Sequence, residues 1–157
     1  MYQSILVPLD GSELAECALP HAIHMAKASQ AKIVLVSVTE RIQGFRIIED
    51  RTERLEERLS PEATGKLEEE AQRYLDKIAK QMEAEGVKVD TDVQFGSPSE
   101  GIIACSINNK CDIIVMASHG RSGISRWSHG SVADKVFRAS KLPVLMVKAP
   151  GAVDNLK

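Results

Sequence analysis

Two short segments carry residue types that could hold an anion. One is Ala117-Ser118-His119-Gly120-Arg121-Ser122-Gly123, which leads on to Gly130-Ser131-Val132. Its small side chains leave several backbone N–H groups able to point at a ligand. The helix that starts near Gly130 would add unpaired N–H groups and the positive end of its dipole, a combination suited to phosphate. Glycine lets the backbone come close to an anion, and Ser131 adds a hydroxyl donor. The same residues would equally make a plain Gly-Ser helix start with no ligand. Their spacing matches neither the P-loop nor the dinucleotide fingerprint. The second segment is Pro8-Leu9-Asp10-Gly11-Ser12, in which a carboxylate and a glycine follow directly on an apolar run.

These segments can act together only if the fold brings them together. Apolar runs alternate with helical patterns along the whole chain, as in a parallel sheet wrapped by helices. The strands read as Ile5 to Leu9, Ile33 to Val38, Val87 to Phe95, Ile113 to Met116 and Leu142 to Val147. The first, second and fourth are apolar throughout, which predicts burial on both faces. The third alternates and the fifth begins with Pro143, which predicts edges. With right-handed crossovers the order 3-2-1-4-5 satisfies all of this. It puts a topological switch between the first and fourth strands, where ligands of open α/β sheets bind. The two anion-suited segments flank that crevice.

The intervening patterns predict helices. One starts near Ser12 with Pro20 inside it, where the missing N–H should bend it. One opens at Ser60-Pro61, buries Leu67, Ala71, Tyr74, Leu75, Ile78 and Met82, and stops at Gly86. One follows a capping box at Ser97-Pro98-Ser99-Glu100 and turns Ile102, Ile103 and Ile107 inward. The last, from about Gly130 to Ser140, shows Val132, Val136 and Phe137 on one face. Thr39 to Leu59 mixes both charge signs with few apolar residues and reads as a long surface connection, partly helical.

The segment Val115 to Lys148 resembles the carboxy-terminal half of the universal stress protein family. The family signature is Gly, two residues, Gly, nine residues, then Gly followed by Ser or Thr; the matching positions are Ala117, Gly120, Gly130 and Ser131. Ile5 to Ser12 and Leu142 to Val147 are similar to the family as well. The resemblance implies one domain over residues 1–149, with 39–59 its variable connection and 150–157 a tail. It implies a three-layer α/β/α, Rossmann-like fold of the adenine nucleotide alpha hydrolase type. For ATP-binding members it implies a site at Pro8, Leu9, Asp10, Val38, Met116, Ala117, Ser118, His119, Gly120, Arg121, Gly130, Ser131 and Val132, with Mg²⁺ accompanying the ATP. Val38 matches the position whose backbone meets the base, and Gly120, Gly130, Ser131 and Val132 match those that hold phosphate. It also implies a homodimer through the fifth strand, at Val144, Leu145, Met146 and Val147. Members without the signature do not bind ATP.

The departure is Ala117, where the signature begins with Gly. Were φ positive there, the methyl group would cost about 1 kcal/mol; with ordinary backbone angles only a closely approaching ligand would meet it. Asp10 could sit near the ribose and phosphates or help hold Mg²⁺, and Asp is also a common N-cap. His119 could contact a phosphate or simply be solvated in a loop. Trp127 reads as a packing or dimer-contact residue. Cys17, Cys105 and Cys111 lack metal-ligand spacing and read as packing residues.

The net charge of -2 argues against duplex DNA and anionic membranes as partners. No apolar stretch approaches the roughly 20 residues that a membrane span needs. The chain opens on a strand-like run rather than a signal segment, which points to the cytoplasm. No nucleophile–base pair or ligand set for a catalytic metal stands out, so at most slow ATP hydrolysis is expected. Two classes remain: a nucleotide-dependent stress or signalling module, and a nucleotide-free dimeric adaptor acting on a protein partner.

Overall fold

The computed structural model describes residues 1–39, 44–48, 51–55, 61–119 and 131–148. Its elements are β1 (Ser4–Pro8), α1 (Glu13–Glu16), α2 (Leu19–Ser29), β2 (Lys32–Thr39), β3 (Gly44–Ile48), β4 (Arg51–Leu55), α3 (Pro61–Ala84), β5 (Val89–Phe95), α4 (Pro98–Asn108), β6 (Ile113–Ala117), α5 (Ser131–Ala139) and β7 (Val144–Val147). Five strands form one sheet in the order β5-β2-β1-β6-β7. Every pairing in it is parallel. With the β3–β4 pair set aside, this is the expected order 3-2-1-4-5.

Strand alternation sorts the central side chains into two cores. Ile5, Val7, Ile33, Leu35, Ile113 and Val115 pack under α1, α2 and α3, with Ala22, Leu75, Ile78 and Met82. Leu6, Val34, Val36, Ile114 and Met116 pack on the other side, with Ile102 and Cys105 of α4 and Ala133 and Val136 of α5. Adjacent residues of one strand therefore serve opposite layers, which is why β1, β2 and β6 read as unbroken apolar runs.

Four sequence expectations need correction. The helix expected from Ser12 is two helices, with Pro20 in the first turn of the second. Proline lacks the N–H and its ring crowds the carbonyl four residues back, so the helix restarts instead of bending. The span 39–59 contains an antiparallel pair, β3 with β4, where partial helix was expected. Phe45, Ile47 and Ile48 are aromatic or β-branched and favour a strand. Ser97 is the N-cap of α4 but makes no side-chain capping bond; its hydroxyl instead lies 3.4 Å from that of Ser99. Finally, Ile107 is 69% and Phe137 59% exposed. The buried stripe of α4 is Ser99, Ile102, Cys105 and Ser106, and serines on that face disguise it. Ser106 can be buried because its hydroxyl donates to the Ile103 carbonyl at 2.7 Å.

Candidate functional site at the carboxyl end of the sheet

β1 and β6 are parallel neighbours at the centre of the sheet. The chain leaves β1 for α1 and α2 on one face, and the next described helix after β6 is α5 on the other. The carboxyl ends of β1, β2 and β6 and the amino terminus of α5 therefore share one rim. Pro8, Leu9 and Asp10 come from the end of β1, Val38 from the end of β2, and Met116 to His119 from the end of β6. Ser131 and Val132 are the first residues of α5. Gly120, Arg121, Gly130 and Trp127 lie outside the described residues, as does the tail 150–157.

The loop after β1 is organised by its own side chains. The Leu9 N–H donates to the Val36 carbonyl at 2.8 Å. Gly11 has φ +84°, a backbone conformation that costs glycine little. One carboxylate oxygen of Asp10 accepts from both the N–H and the hydroxyl of Ser12. Ser12 in turn is the N-cap of α1, accepting from the Ala15 N–H at 3.2 Å. The N-cap considered for Asp10 thus belongs to Ser12, and Asp10 stands one step earlier, closing an Asx turn.

The phenol of Tyr74, from α3, donates to the Glu16 carboxylate at 2.9 Å. Burial, followed by the hydrogen bond to Glu16 and the charges of Glu16 and Asp10, raises its pKa above the usual tyrosine value. Nothing local in the sequence connects Tyr74 to this loop, because 58 residues separate it from Glu16.

On the β6 side, Ala117 is the last strand residue, in register with Val147. Among the described residues only Gln30 and Lys110 combine a side chain with positive φ, so the Ala117 methyl costs no backbone strain. The next N–H, of Ser118, donates to the Val147 carbonyl at 2.7 Å. His119 is 4% exposed, which excludes the solvated loop histidine. Its Nδ1 lies 3.0 Å from the Ser118 hydroxyl, and its Nε2 is buried with no hydrogen-bond partner. A buried polar atom left alone is costly, and such atoms commonly mark a place where a further group binds.

The cysteines behave as packing groups. Burial raises the thiol pKa of Cys17 and Cys111 and pushes that of Cys105 up to about 12. All three are free thiols. Among the described residues no cluster of His, Cys, Asp and Glu could hold a metal by itself. A divalent ion here would need oxygens from a ligand, with Asp10 the acidic residue on the rim.

Val38 is the residue whose packing was least legible. Gly101 of α4 lies so near it that a Cβ there would come within 2.8 Å of a Val38 methyl. A glycine inside a helical pattern is itself a sign of close backbone approach, and that signal was available in the sequence.

The comparisons with known proteins agree with this architecture. A family model described as the universal stress protein family matches residues 1–148. Universal stress protein MJ0531 of Methanocaldococcus jannaschii is 33% identical over 150 residues, covering 96% of this chain and 84% of its own length. The solved structure of MJ0577, a universal stress protein of the same organism, superposes with a TM-score of 0.78. It is 32% identical and covers 94% of this chain and 96% of its own. A universal stress protein solved in complex with cAMP has a TM-score of 0.66 at 24% identity, covering 94% of this chain and 98% of its own.

Proposed function

The chain belongs to the universal stress protein family, and from that premise we propose that it binds an adenine nucleotide, ATP with Mg²⁺, at the rim between β1 and β6. The observation that carries the reading is the backbone of Ala117. The one departure from the family's nucleotide signature sits in an ordinary strand conformation and leaves β6 paired with β7 to its last residue. Nothing in the backbone has been bent to admit the methyl. The partnerless Nε2 of buried His119, next to this strand end, supports a ligand group reaching it.

In this reading the base lies at Val38, and the nucleoside rests on Pro8, Leu9 and Asp10. The triphosphate faces Met116 to His119 and the α5 start at Ser131 and Val132, where N–H groups and dipole favour anions, and the family resemblance assigns Gly120, Arg121 and Gly130 to the same ligand. Asp10 is the rim carboxylate that would help hold Mg²⁺, which would neutralise phosphate charge there. These groups bind and neutralise, and hydrolysis is at most slow. The protein acts in the cytoplasm as a nucleotide-dependent stress or signalling module toward a protein partner. That no described helix is long and apolar enough to cross a membrane is compatible with this.

The second reading is a nucleotide-free dimeric adaptor, favoured by the open edge of β7. Leu145 is 38% exposed on that strand, and an unpaired apolar edge invites a second copy. The homodimer through Val144 to Val147 belongs to both readings. Calorimetric titration of the purified protein with ATP and Mg²⁺ tests the nucleotide. Saturable binding at one site per chain is the expected result, and no heat with ATP, AMP or cAMP would overturn the proposal. For the dimer, Val144→Lys with Met146→Lys should convert dimer to monomer in light scattering, and a monomeric parent at micromolar concentration would refute it.

A further inference from the structure

The Asp10–Ser12 loop is fastened from two sides. Within the chain segment, Asp10 closes on Ser12 and Ser12 caps α1. From across the fold, a phenol on α3 reaches α1, the helix that Ser12 caps. Tyr74 is half-buried among the residues of the core under α3, so its ring is held by packing. Its hydroxyl has one well-formed bond, to the half-buried carboxylate of Glu16 on α1. A hydrogen bond to a charged acceptor is among the stronger ones. It joins the long helix α3 to the short α1, which as four residues could not stand alone.

We propose that Tyr74 is a positioning residue for nucleotide binding: its hydroxyl, anchored on Glu16, holds α1 in place and, through the Ser12 cap of that helix, keeps the Asp10–Ser12 loop in the shape that receives the ligand. The inference rests on the nucleotide reading above. It goes further in naming a residue outside the ligand rim that sets affinity through the loop. Tyr74 itself touches no nucleotide. Its effect is on how much of the time Asp10 and the Gly11 backbone stand where a ribose and its phosphates need them. A loop that must first be ordered lowers apparent affinity in proportion to the fraction not competent.

The test uses the full chain and two readouts. In the ligand-free protein, Tyr74→Phe should speed amide exchange at Gly11 and Ser12 while leaving exchange in β1 and β6 and the melting temperature nearly unchanged. In calorimetry with ATP and Mg²⁺, the same variant should bind about three- to tenfold more weakly, as suits one lost hydrogen bond to a charged group. Glu16→Ala should reproduce both effects, and Glu16→Gln, which keeps an acceptor oxygen, should restore most of the affinity. The double variant Tyr74→Phe with Glu16→Ala should be no worse than either alone. Unchanged exchange at Gly11, or unchanged affinity in a parent that binds ATP, overturns the positioning role and leaves the nucleotide reading standing. A parent that binds no adenine nucleotide overturns both.

Discussion

A Cβ built on Gly101 would stand 2.8 and 2.9 Å from the two methyl groups of Val38. Real carbon atoms do not approach so closely, so α4 lies on the end of β2 at a distance that only glycine permits. Val38 is β-branched and stiff at χ1, so its methyls have little room to turn away. Gly101→Ala should therefore destabilise the protein by about 1–3 kcal/mol as an overpacked contact. The same change at Gly65 in α3, where nothing lies within 4 Å of the built Cβ, should stabilise by about 0.5–1 kcal/mol. Chemical denaturation of both variants measures the contrast. Adding Val38→Ala to Gly101→Ala should recover part of the loss, and additive losses would disprove the contact.

The pattern of apolar residues was enough to order the sheet, because burial on two faces and edge alternation are written directly into β1, β2, β6 and β5. The rim was legible for the same reason: Asp10 and Ala117 follow their strands without interruption. Tyr74 was not, since its partner is distant in sequence and a tyrosine on an amphipathic helix reads as core. Ile107 and Phe137 are apolar yet exposed, and on α4 it is Ser99 and Ser106 that share the buried face. Pro20 signals a bend within one helix, and the chain instead begins a second helix there.

Lys110 follows α4 with φ +50°. Its N–H donates to the Ile107 carbonyl and that of Cys111 to the Ser106 carbonyl, the paired bonds of a Schellman ending. Gly86 plays the left-handed part after α3 at no steric cost. Lys110→Gly should remove the crowding of Cβ against the carbonyl and raise stability by about 1 kcal/mol. A higher midpoint with an unchanged denaturant slope is the expected signature, and a lower midpoint would contradict it.

Asp112 ties the start of β6 to the start of β1. One of its carboxylate oxygens accepts from the N–H groups of Gln3 at 2.6 Å and Ser4 at 2.9 Å. These bonds hold its pKa below the usual carboxylate range. With the folded pKa lowered, the stabilisation is present above the unfolded value of about 3.9 and disappears as pH falls through the folded one. Asp112→Asn should therefore be less stable than the parent at neutral pH, and the gap should close below that range. A gap that stays constant down to the acid transition would show that the charge contributes nothing.

Ala117→Gly separates the two functional readings. The strand backbone at 117 is ordinary and the residue is 7% exposed, so glycine gains no relief there and adds freedom to the unfolded chain. Stability should fall by roughly 0.5–1 kcal/mol, where a strained position would have gained. If the rim is a working nucleotide site that tolerates the methyl, ATP affinity should change by less than about tenfold, or roughly 1.4 kcal/mol. If the methyl blocks the ligand, the parent should be silent and the variant should bind, which is the outcome the adaptor reading requires. The intact pairing of Ala117 with Val147 and the partnerless Nε2 of His119 favour the first outcome. Titrating parent and variant side by side with ATP and Mg²⁺ decides between them, and silence from both would remove the nucleotide from the account.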